Sequence, residues 1–227
     1  MLDDPKIFPL GDGALTVDFG NTISVELNDR AIALAAYFSG NPFPGFIEVV
    51  PAYSSVSIFY DVVEVRRNFA EFETAFDAIR EIVTASLARL TGGIGMISRT
   101  IEIPVDFGPD AAPDLDQIAA HGGLTIEETV SIFTSGTYRV YMLGFLPGFA
   151  YMGEVDERIA VPRRDSPRLK VPRGSVGIAG RQTGIYPLTS PGGWQIIGRT
   201  DVELFTPDSE TPCLLAPGDS VRFVPTK

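Results

Sequence analysis

A chain of 227 residues, 44% hydrophobic and 21% charged, is long enough for one large domain or two modest ones with a substantial core. Its formal net charge of −11 argues against a nucleic-acid-binding protein, because phosphate contacts need a basic face, and it gives no reason to expect an anionic membrane as partner. One cysteine and one histidine, Cys213 and His121, exclude an intrachain disulfide and a zinc site built on these residue types, although carboxylate-bound Mg²⁺ stays possible. The acidic, proline-interrupted start is not typical of a targeting peptide, and no apolar run has the length of a membrane span. We therefore expect a cytoplasmic protein without a metal centre.

The amino-terminal part alternates between strand and helix signals. Residues 7–10 and 14–19 predict two short strands around the turn Gly11-Asp12-Gly13. Asn28 is a candidate N-cap for a helix over residues 29–38.

Two β-rich runs, residues 46–50 and 56–60, precede the strongest helix signal. Asn68 is the candidate cap of that helix, with Glu71 at the third helical position. Its apolar face is formed at spacings of three and four by Phe69, Phe72, Phe76, Ile79, Val83, Leu87 and Leu90. The order β-β-α-β-β-α predicts an α+β sandwich with helices on one face of a sheet.

A glycine cluster, Gly92-Gly93-Ile94-Gly95, marks the expected domain boundary. We accordingly predict an amino-terminal α+β domain over residues 1–93 and a β-rich domain over residues 94–227.

The second part opens with one strand, two short helices and another strand. Residues 100–105 and 138–143 are the predicted strands. Asp114 begins the first helix, and His121 lies in its last turn, where histidine is more often a dipole partner than a catalytic base. A capping box over residues 125–128 opens the second helix.

Short strands dominate the remaining chain. The candidates are residues 174–179, 184–187, 194–198, 202–205 and 220–224. A closed or nearly closed barrel with helices packed outside fits this pattern.

The stretch from Gly144 to Gly198 is dense in glycine and proline but contains regular apolar residues, which favours short strands joined by specified turns. Residues 166–200 contain no acidic residue but several basic ones, namely Arg168, Lys170, Arg173, Arg181 and Arg199. A basic region inside an acidic chain is either a solvated face or an anion site. No Ser-His-Asp or Cys-His arrangement, Walker loop or dinucleotide fingerprint is present.

Three residues in this stretch have side chains suited to an amide substrate. Arg168 can hold a carboxylate in a bidentate fork, Gln182 can present its amide to a substrate amide, and Tyr186 can donate to a developing oxyanion. We predict Tyr186 and Gln182 as catalytic and Arg168 as substrate-binding. The alternatives are structural: Gln182 satisfies a turn, and Tyr186 covers the end of the barrel.

Four further residues are candidates for substrate binding. Ser190 and the backbone of Gly192 and Gly193 can supply hydrogen-bond donors, since a glycine pair can form an anion-binding nest. Trp194 can wall a pocket and exclude water, or it can belong to the core.

Linked motifs run in order along nearly the whole chain. They are Pro9-Leu10-Gly11-Asp12, Pro44-Gly45-Phe46-x-Glu48-Val49-Val50-Pro51-Ala52-Tyr53, Gly144-Phe145-x-Pro147-Gly148-Phe149, Pro162-Arg163-Arg164, Pro167-Arg168, Val171-Pro172-x-Gly174-Ser175-Val176, Gly180-x-Gln182-Thr183, Ile185-Tyr186-Pro187 and Ser190-Pro191-Gly192-Gly193-Trp194. This set resembles the family of the 5-oxoprolinase B subunit, also called the first subunit of allophanate hydrolase, which includes the histidine-kinase inhibitor KipI.

The resemblance implies a cyclophilin-like barrel for the second domain. It also implies a carboxyltransferase-like heterocomplex with the homologous C subunit and the A subunit of 5-oxoprolinase, which uses ATP to open 5-oxoproline to glutamate. On that basis the chain is one component of an ATP-dependent amide or lactam hydrolase and is not active alone. Allophanate or another small amide stays open as the substrate. The alternative is a regulator that inhibits a sensor histidine kinase, and a stand-alone prolyl isomerase is a third possibility.

Two positions depart from the family pattern. Phe133 stands where the resemblance implies a histidine, and Ala150 stands where it implies a proline. If that histidine takes part in protonation, its absence predicts reduced activity.

Overall fold

The computed structural model describes residues 4–90 and 99–226. The chain divides into two units, Met1–Ile97 and Ser98–Lys227. The division falls within residues 91–98, a segment that includes the glycine cluster and lies outside the described residues. The predicted boundary between residues 93 and 94 therefore stays a prediction.

A four-stranded antiparallel sheet forms the centre of the first unit, in the order β1-β2-β4-β3. Its strands are β1 (Lys6–Pro9), β2 (Ala14–Asp18), β3 (Phe46–Pro51) and β4 (Ser55–Tyr60). All four confirm the sequence prediction to within a residue or two. Alternate residues of β4 are buried, because successive side chains of a strand point to opposite faces.

Three helices, α1 (Val25–Gly40), α2 (Val62–Asn68) and α3 (Ala75–Arg89), follow the strands in the order β-β-α-β-β-α-α. Helix α1 packs on β3 and β4, and α3 packs on β2. The predicted cap of α1 is wrong. Ser24 is the N-cap and accepts from the Leu27 backbone N–H at 3.2 Å, whereas Asn28 is buried within the helix and its Nδ2 donates to the Ala52 carbonyl at 3.1 Å.

The predicted cap of the strongest helix is also wrong. Asn68 ends α2, and its Nδ2 donates to the Glu64 carbonyl at 2.9 Å. Thr74 caps α3 instead, accepting from the Asp77 N–H at 3.1 Å. The apolar spacing continues across the break because Phe69 and Phe72 lie in the connection and still pack on the core. The periodicity therefore hides the end of one helix and the start of the next.

A seven-stranded sheet organises the second unit, in the order β12-β9-β10-β7-β6-β13-β5. Its strands are β5 (Thr100–Val105), β6 (Tyr138–Leu143), β7 (Ala150–Gly153), β9 (Ser175–Ala179), β10 (Gln182–Ile185), β12 (Gln195–Arg199) and β13 (Ser220–Pro225). Only the β5–β13 pair among these strands is parallel. Backbone hydrogen bonds between Asp106 and Arg199 join the two outer strands of the sheet, which makes it a nearly closed barrel.

Two helices, α4 (Leu115–Gly122) and α5 (Ile126–Ser135), pack on β12 and β13 respectively. Both predicted helices are confirmed. Gly123 ends α4 in the left-handed region, and the predicted capping box of Thr125 and Glu128 opens α5.

Three strands and one short 3-10 helix (Glu157–Ile159) of the second unit were not predicted, and one predicted strand is wrong. The missed strands are β7 and the two strands of a separate ribbon, β8 (Arg168–Val171) and β11 (Ser190–Gly192). Residues 202–205 form only an isolated bridge, between Phe205 and Cys213. Strand β11 contains a proline and a glycine, and β8 has only four residues between Pro167 and Pro172, so both are too short to show a period of two clearly. The fold class is thus mixed α and β with few helices.

Candidate functional site

Aromatic rings lie at the centre of the Gly- and Pro-rich stretch. Phe149, Tyr186 and Trp194 are buried together in a cluster that also contains Val171, Ala179 and Ile196. The Phe149 ring meets those of Tyr186 and Trp194 edge to face, with centroids 5.4 and 5.5 Å away. Trp194 is therefore a core residue on its buried side, while the Arg163 guanidinium lies 5.9 Å from its ring centroid.

The buried hydroxyl of Tyr186 lies against Gly192, the last residue of the ribbon strand β11. A side chain at Gly192 would collide with that hydroxyl, so only glycine lets the two approach. Burial raises the pKa of Tyr186, and a hydrogen bond with the Trp194 backbone opposes the rise without cancelling it. The phenol is thus protonated at neutral pH and can act as a hydrogen-bond donor.

Backbone contacts hold the predicted glycine pair beside a proline-rich loop. The Arg164 N–H donates to the Gly193 carbonyl at 2.8 Å, and Pro167 lies next to Gly193. Ser190 pairs with Val171 in the ribbon, and its hydroxyl donates to the carbonyl of Pro191 at 3.1 Å. The structure thus brings Tyr186, Gly192, Gly193 and Trp194 together.

Arg168 forms an ion pair with the carboxylate of Asp114, a residue that the sequence indicates only as the start of a helix. Asp114 is 3% exposed, and its Oδ1 accepts from Arg168 at 2.7 Å and from Arg164 at 3.1 Å. Its Oδ2 accepts from the Ile196 backbone N–H at 2.6 Å, and the Asp114 N–H donates to the Ile196 carbonyl at 3.1 Å. Asp114 makes no side-chain cap bond to α4. One carboxylate thus ties together α4, β12 and the loop before β8.

Gln182 is separated from this group. It pairs with Ala179 and Gly153 at the hairpin end of β10, whereas Tyr186 follows the other end of the same strand. Four residues of extended chain span roughly 13 Å. The structure does not bring the two predicted catalytic residues together, and a catalytic role for Gln182 stays a prediction.

The remaining basic residues do not converge either. Arg181 pairs with Glu154 and Glu157, and Arg173 lies 3.6 Å from Glu203. Three of the five basic residues of this run, Arg168, Arg173 and Arg181, therefore pair with acidic residues from different segments.

The turn before β7 carries an exposed aromatic ring. Phe145 has φ 67, a left-handed conformation that is uncommon for a non-glycine residue, and it is 60% exposed. Its ring lies 6.4 Å from that of Tyr186 and 5.5 Å from that of Phe149. The motif around Phe145 thus forms one edge of the candidate site.

A cleft of about 360 Å³ lies along α4, beside the Asp114 network. One face of the helix lines it with Gln117, Ala120 and His121, and it is completed by Val161, Pro162 and Gln195. Sequence reasoning did not single out Gln195, although it directly follows the motif that ends at Trp194. Its role in this cleft depends on long-range packing.

The two departures from the family pattern both lie in the core. Phe133 is fully buried, its ring stacks on Phe223 at 4.8 Å, and Tyr138 donates to its carbonyl at 2.7 Å. Ala150 is fully buried at the start of β7. Cys213 is a free thiol of intermediate exposure.

Among the helices of residues 4–90 and 99–226, none combines the length and the apolar character that a membrane span requires. The same part of the chain has no group of three or more His, Cys, Asp or Glu side chains arranged to hold a metal ion.

Comparison with known proteins gives full-length matches. The model of the carboxyltransferase domain, subdomain C and D, matches residues 5–215. The chain is 45% identical to the 5-oxoprolinase B subunit of Bacillus subtilis (strain 168), covering 96% of this chain and 92% of the relative. It is 39% identical to the 5-oxoprolinase B subunit of Escherichia coli O157:H7, covering 98% and 96%. The solved structure of TTHA0988 superposes with a TM-score of 0.80 at 37% identity, over 94% of this chain but only 40% of that longer chain.

Proposed function

The chain belongs to the family of carboxyltransferase subdomains C and D, and from that premise we propose that it is a non-autonomous subunit of an ATP-dependent amide or lactam hydrolase. The substrate of the assembled enzyme is 5-oxoproline, which it opens to glutamate. The observation that carries this proposal is the match, over nearly the full length of both chains, to a protein named as the B subunit of 5-oxoprolinase.

The side chains support a shared site rather than an independent one. Tyr186 and the glycine pair can donate hydrogen bonds to an oxyanion, whereas the sequence offers no Ser-His-Asp or Cys-His motif that would supply a nucleophile. The attacking group must then be water activated elsewhere in the complex. In this role the second unit, which we assign to the cyclophilin-like barrels, positions and polarises the substrate.

The proposed reaction indicates what ATP and the partner subunits contribute. Transfer of the γ-phosphoryl group to the lactam oxygen makes the ring carbon electrophilic and releases ADP. Water then adds, the ring C–N bond breaks to give an amine and an acyl phosphate, and another water releases phosphate and glutamate. This chain lacks a Walker loop, so we assign ATP as co-substrate to the A subunit of the complex and propose the homologous C subunit as the direct partner. The match to only 40% of TTHA0988 supports a module that works joined to further protein.

The competing hypothesis is a regulator of a sensor histidine kinase. Such a protein needs an exposed apolar patch without a polar pocket, whereas an enzyme component needs a pocket with converging polar groups. The cleft beside Asp114, with its polar side chains, favours the enzyme component.

The test is ATP-dependent release of glutamate from 5-oxoproline by this chain mixed with the A and C subunits, and by the mixture without this chain. We expect activity only in the complete mixture. Tyr186→Phe removes one donor to the oxyanion, so we expect kcat to fall by roughly 10- to 1,000-fold. Arg222→Ala, at an exposed ion pair with Glu102, is the control and should leave kcat unchanged. Glutamate release that is equal without this chain contradicts the proposal.

A further inference from the structure

We infer that the cleft along α4 is a ligand site in which the Gln195 side-chain oxygen accepts a hydrogen bond from the N–H of a small amide or lactam. The inference rests on the proposed function for the identity of the natural ligand, but the site itself is argued from the structure. Its walls are Gln117, Ala120 and His121 on α4, facing Val161 and Pro162 on the loop, with Gln195 on β12.

Gln195 carries the inference because its buried environment would destabilise the fold if the residue had only a structural role. It is 4% exposed, and its Oε1 is buried with no hydrogen-bond partner among the described residues. Its Nε2 faces the Pro162 carbonyl at 3.4 Å, and a carbonyl can only accept, so the amide nitrogen is fixed there and the oxygen is left over. An unsatisfied buried acceptor is destabilising, and an apolar side chain of similar shape would avoid that cost. Such a residue is expected where a ligand supplies the missing donor.

The remaining lining has the composition of a small-molecule site. Val161 forms a buried apolar wall, and the exposed Ala120 leaves the cleft open on the helix side. Gln117 and His121 are four residues apart, so they lie on the same face of α4 at the rim of the cleft. Both side chains offer N–H donors in either protonation state of the histidine. A lactam that carries a carboxylate therefore fits with its ring N–H on Gln195 and its carboxylate toward the rim.

The walls are held in place by one anchor. Asp114 bonds to Arg164 of the loop and to Ile196, the residue after Gln195. Helix, loop and strand therefore meet at a fixed point beside the cleft, which is the arrangement a pre-formed binding site requires.

The first experiment measures binding by ligand-observed NMR, with the full chain alone and in its complex. The probes are 2-pyrrolidone, which has the lactam N–H, and N-methyl-2-pyrrolidone, which lacks it. We expect the wild-type protein to bind 2-pyrrolidone at least tenfold more tightly, because a site that bonds an N–H leaves a polar group unpaired with the methylated analogue. In Gln195→Met the two probes should bind equally. Equal binding of both probes to wild type, or no binding of 2-pyrrolidone, overturns the inference.

Stability separates a ligand-binding glutamine from a structural one. Gln195→Met should change the melting temperature little, because it removes an unsatisfied oxygen together with one long hydrogen bond to the Pro162 carbonyl. A lowered melting temperature indicates that the glutamine holds the fold together and contradicts the inference.

Ala120→Phe fills the cleft from its exposed side without touching the core and should abolish binding of 2-pyrrolidone. Ser131→Phe adds the same ring to the exposed side of α5 and is the matched control.

Turnover distinguishes failure of the cleft from failure of the proposed function. In the reconstituted complex, Gln195→Met and Ala120→Phe should raise KM for 5-oxoproline at least tenfold. Glutamate release with unchanged KM in both variants refutes the cleft and leaves the hydrolase proposal intact. Binding of 2-pyrrolidone that depends on Gln195, in a complex that releases no glutamate, refutes the hydrolase proposal and supports the cleft.

Discussion

Replacing Asp114 with asparagine tests whether one buried carboxylate holds the candidate site together. The substitution keeps the shape but removes the charge, and it turns one oxygen into an N–H donor. Asp114 accepts three hydrogen bonds, from Arg168, Arg164 and the Ile196 N–H. The new amide group must face at least one of these donors, so at least one bond is lost and the arginines lose their counter-ion.

The expected cost follows from the burial of the partners. Removing one partner of a buried ion pair costs about 3–5 kcal/mol. The side chains of Arg164 and Arg168 are 32% and 25% exposed, so water relieves part of the penalty and we expect about 2–4 kcal/mol. With a urea m-value of about 2 kcal/mol per molar, the midpoint shifts by roughly 1–2 M.

The assay is urea unfolding followed by fluorescence of Trp194, the only tryptophan in the chain, which is buried in the aromatic cluster of the second unit. Asp110→Asn is the matched control, because Asp110 is exposed just before α4, and its free energy of unfolding should change by less than about 0.5 kcal/mol. A double-mutant cycle adds Arg164→Met and Arg168→Met. In the variant that carries both arginine substitutions, Asp114→Asn should lower the free energy of unfolding much less, since no guanidinium is left unpaired. A shift below about 0.3 M in the wild-type background refutes the reasoning.

Two further predictions concern a turn and an exposed acid. Gly174 and Gly180 both have positive φ, but a side chain at Gly174 would collide with the Thr200 carbonyl, whereas nothing lies near Gly180. Gly174→Ala should therefore lower the free energy of unfolding by about 3–5 kcal/mol and Gly180→Ala by only about 1–2, and equal losses in urea unfolding contradict the collision. The side-chain hydrogen bond from Arg158 lowers the pKa of Asp156 from 3.8 to about 2. A carboxyl group whose pKa is lower in the folded than in the unfolded state stabilises the fold at pH values above its unfolded pKa. For Asp156 this stabilisation is lost as the pH falls through about 2. The difference in the free energy of unfolding between wild type and Asp156→Asn should therefore be present at about pH 5 and shrink toward about pH 2. A difference that does not change with pH contradicts this assignment.

Local patterns predicted the elements whose signals lie close together in the chain. Thr125 and Glu128 form their capping box three residues apart, and each strand of the first unit is a short segment rich in apolar and β-branched residues. The caps Asn28 and Asn68 were assigned wrongly for the same reason. Both residue types fit a cap, but Ser24 and Thr74 occupy the positions where the backbone leaves the helix.

The candidate site shows the opposite case. Asp114 looks like a helix cap in the sequence, yet its partners lie 50, 54 and 82 residues further along the chain. No periodicity or turn rule connects such positions, so Arg168 was assigned to a free substrate carboxylate although a carboxylate of the protein already binds it. The proximity of Gly192 to Tyr186 has a more local signal, because glycine in a turn predicts the close approach of another group, while a functional role for these residues stays a prediction.

The surroundings of Phe133 bear on the hypothesis that this chain has lost a catalytic histidine. The residue is fully buried, and the rings of Phe107, Tyr138 and Phe223 lie against it at 6.3, 5.1 and 4.8 Å. An imidazole enclosed in this way would be held neutral, because burial disfavours its charged form. The neighbouring Tyr138 hydroxyl donates to the Phe133 backbone carbonyl. In this chain Phe133 packs in the core, and reduced turnover stays a prediction.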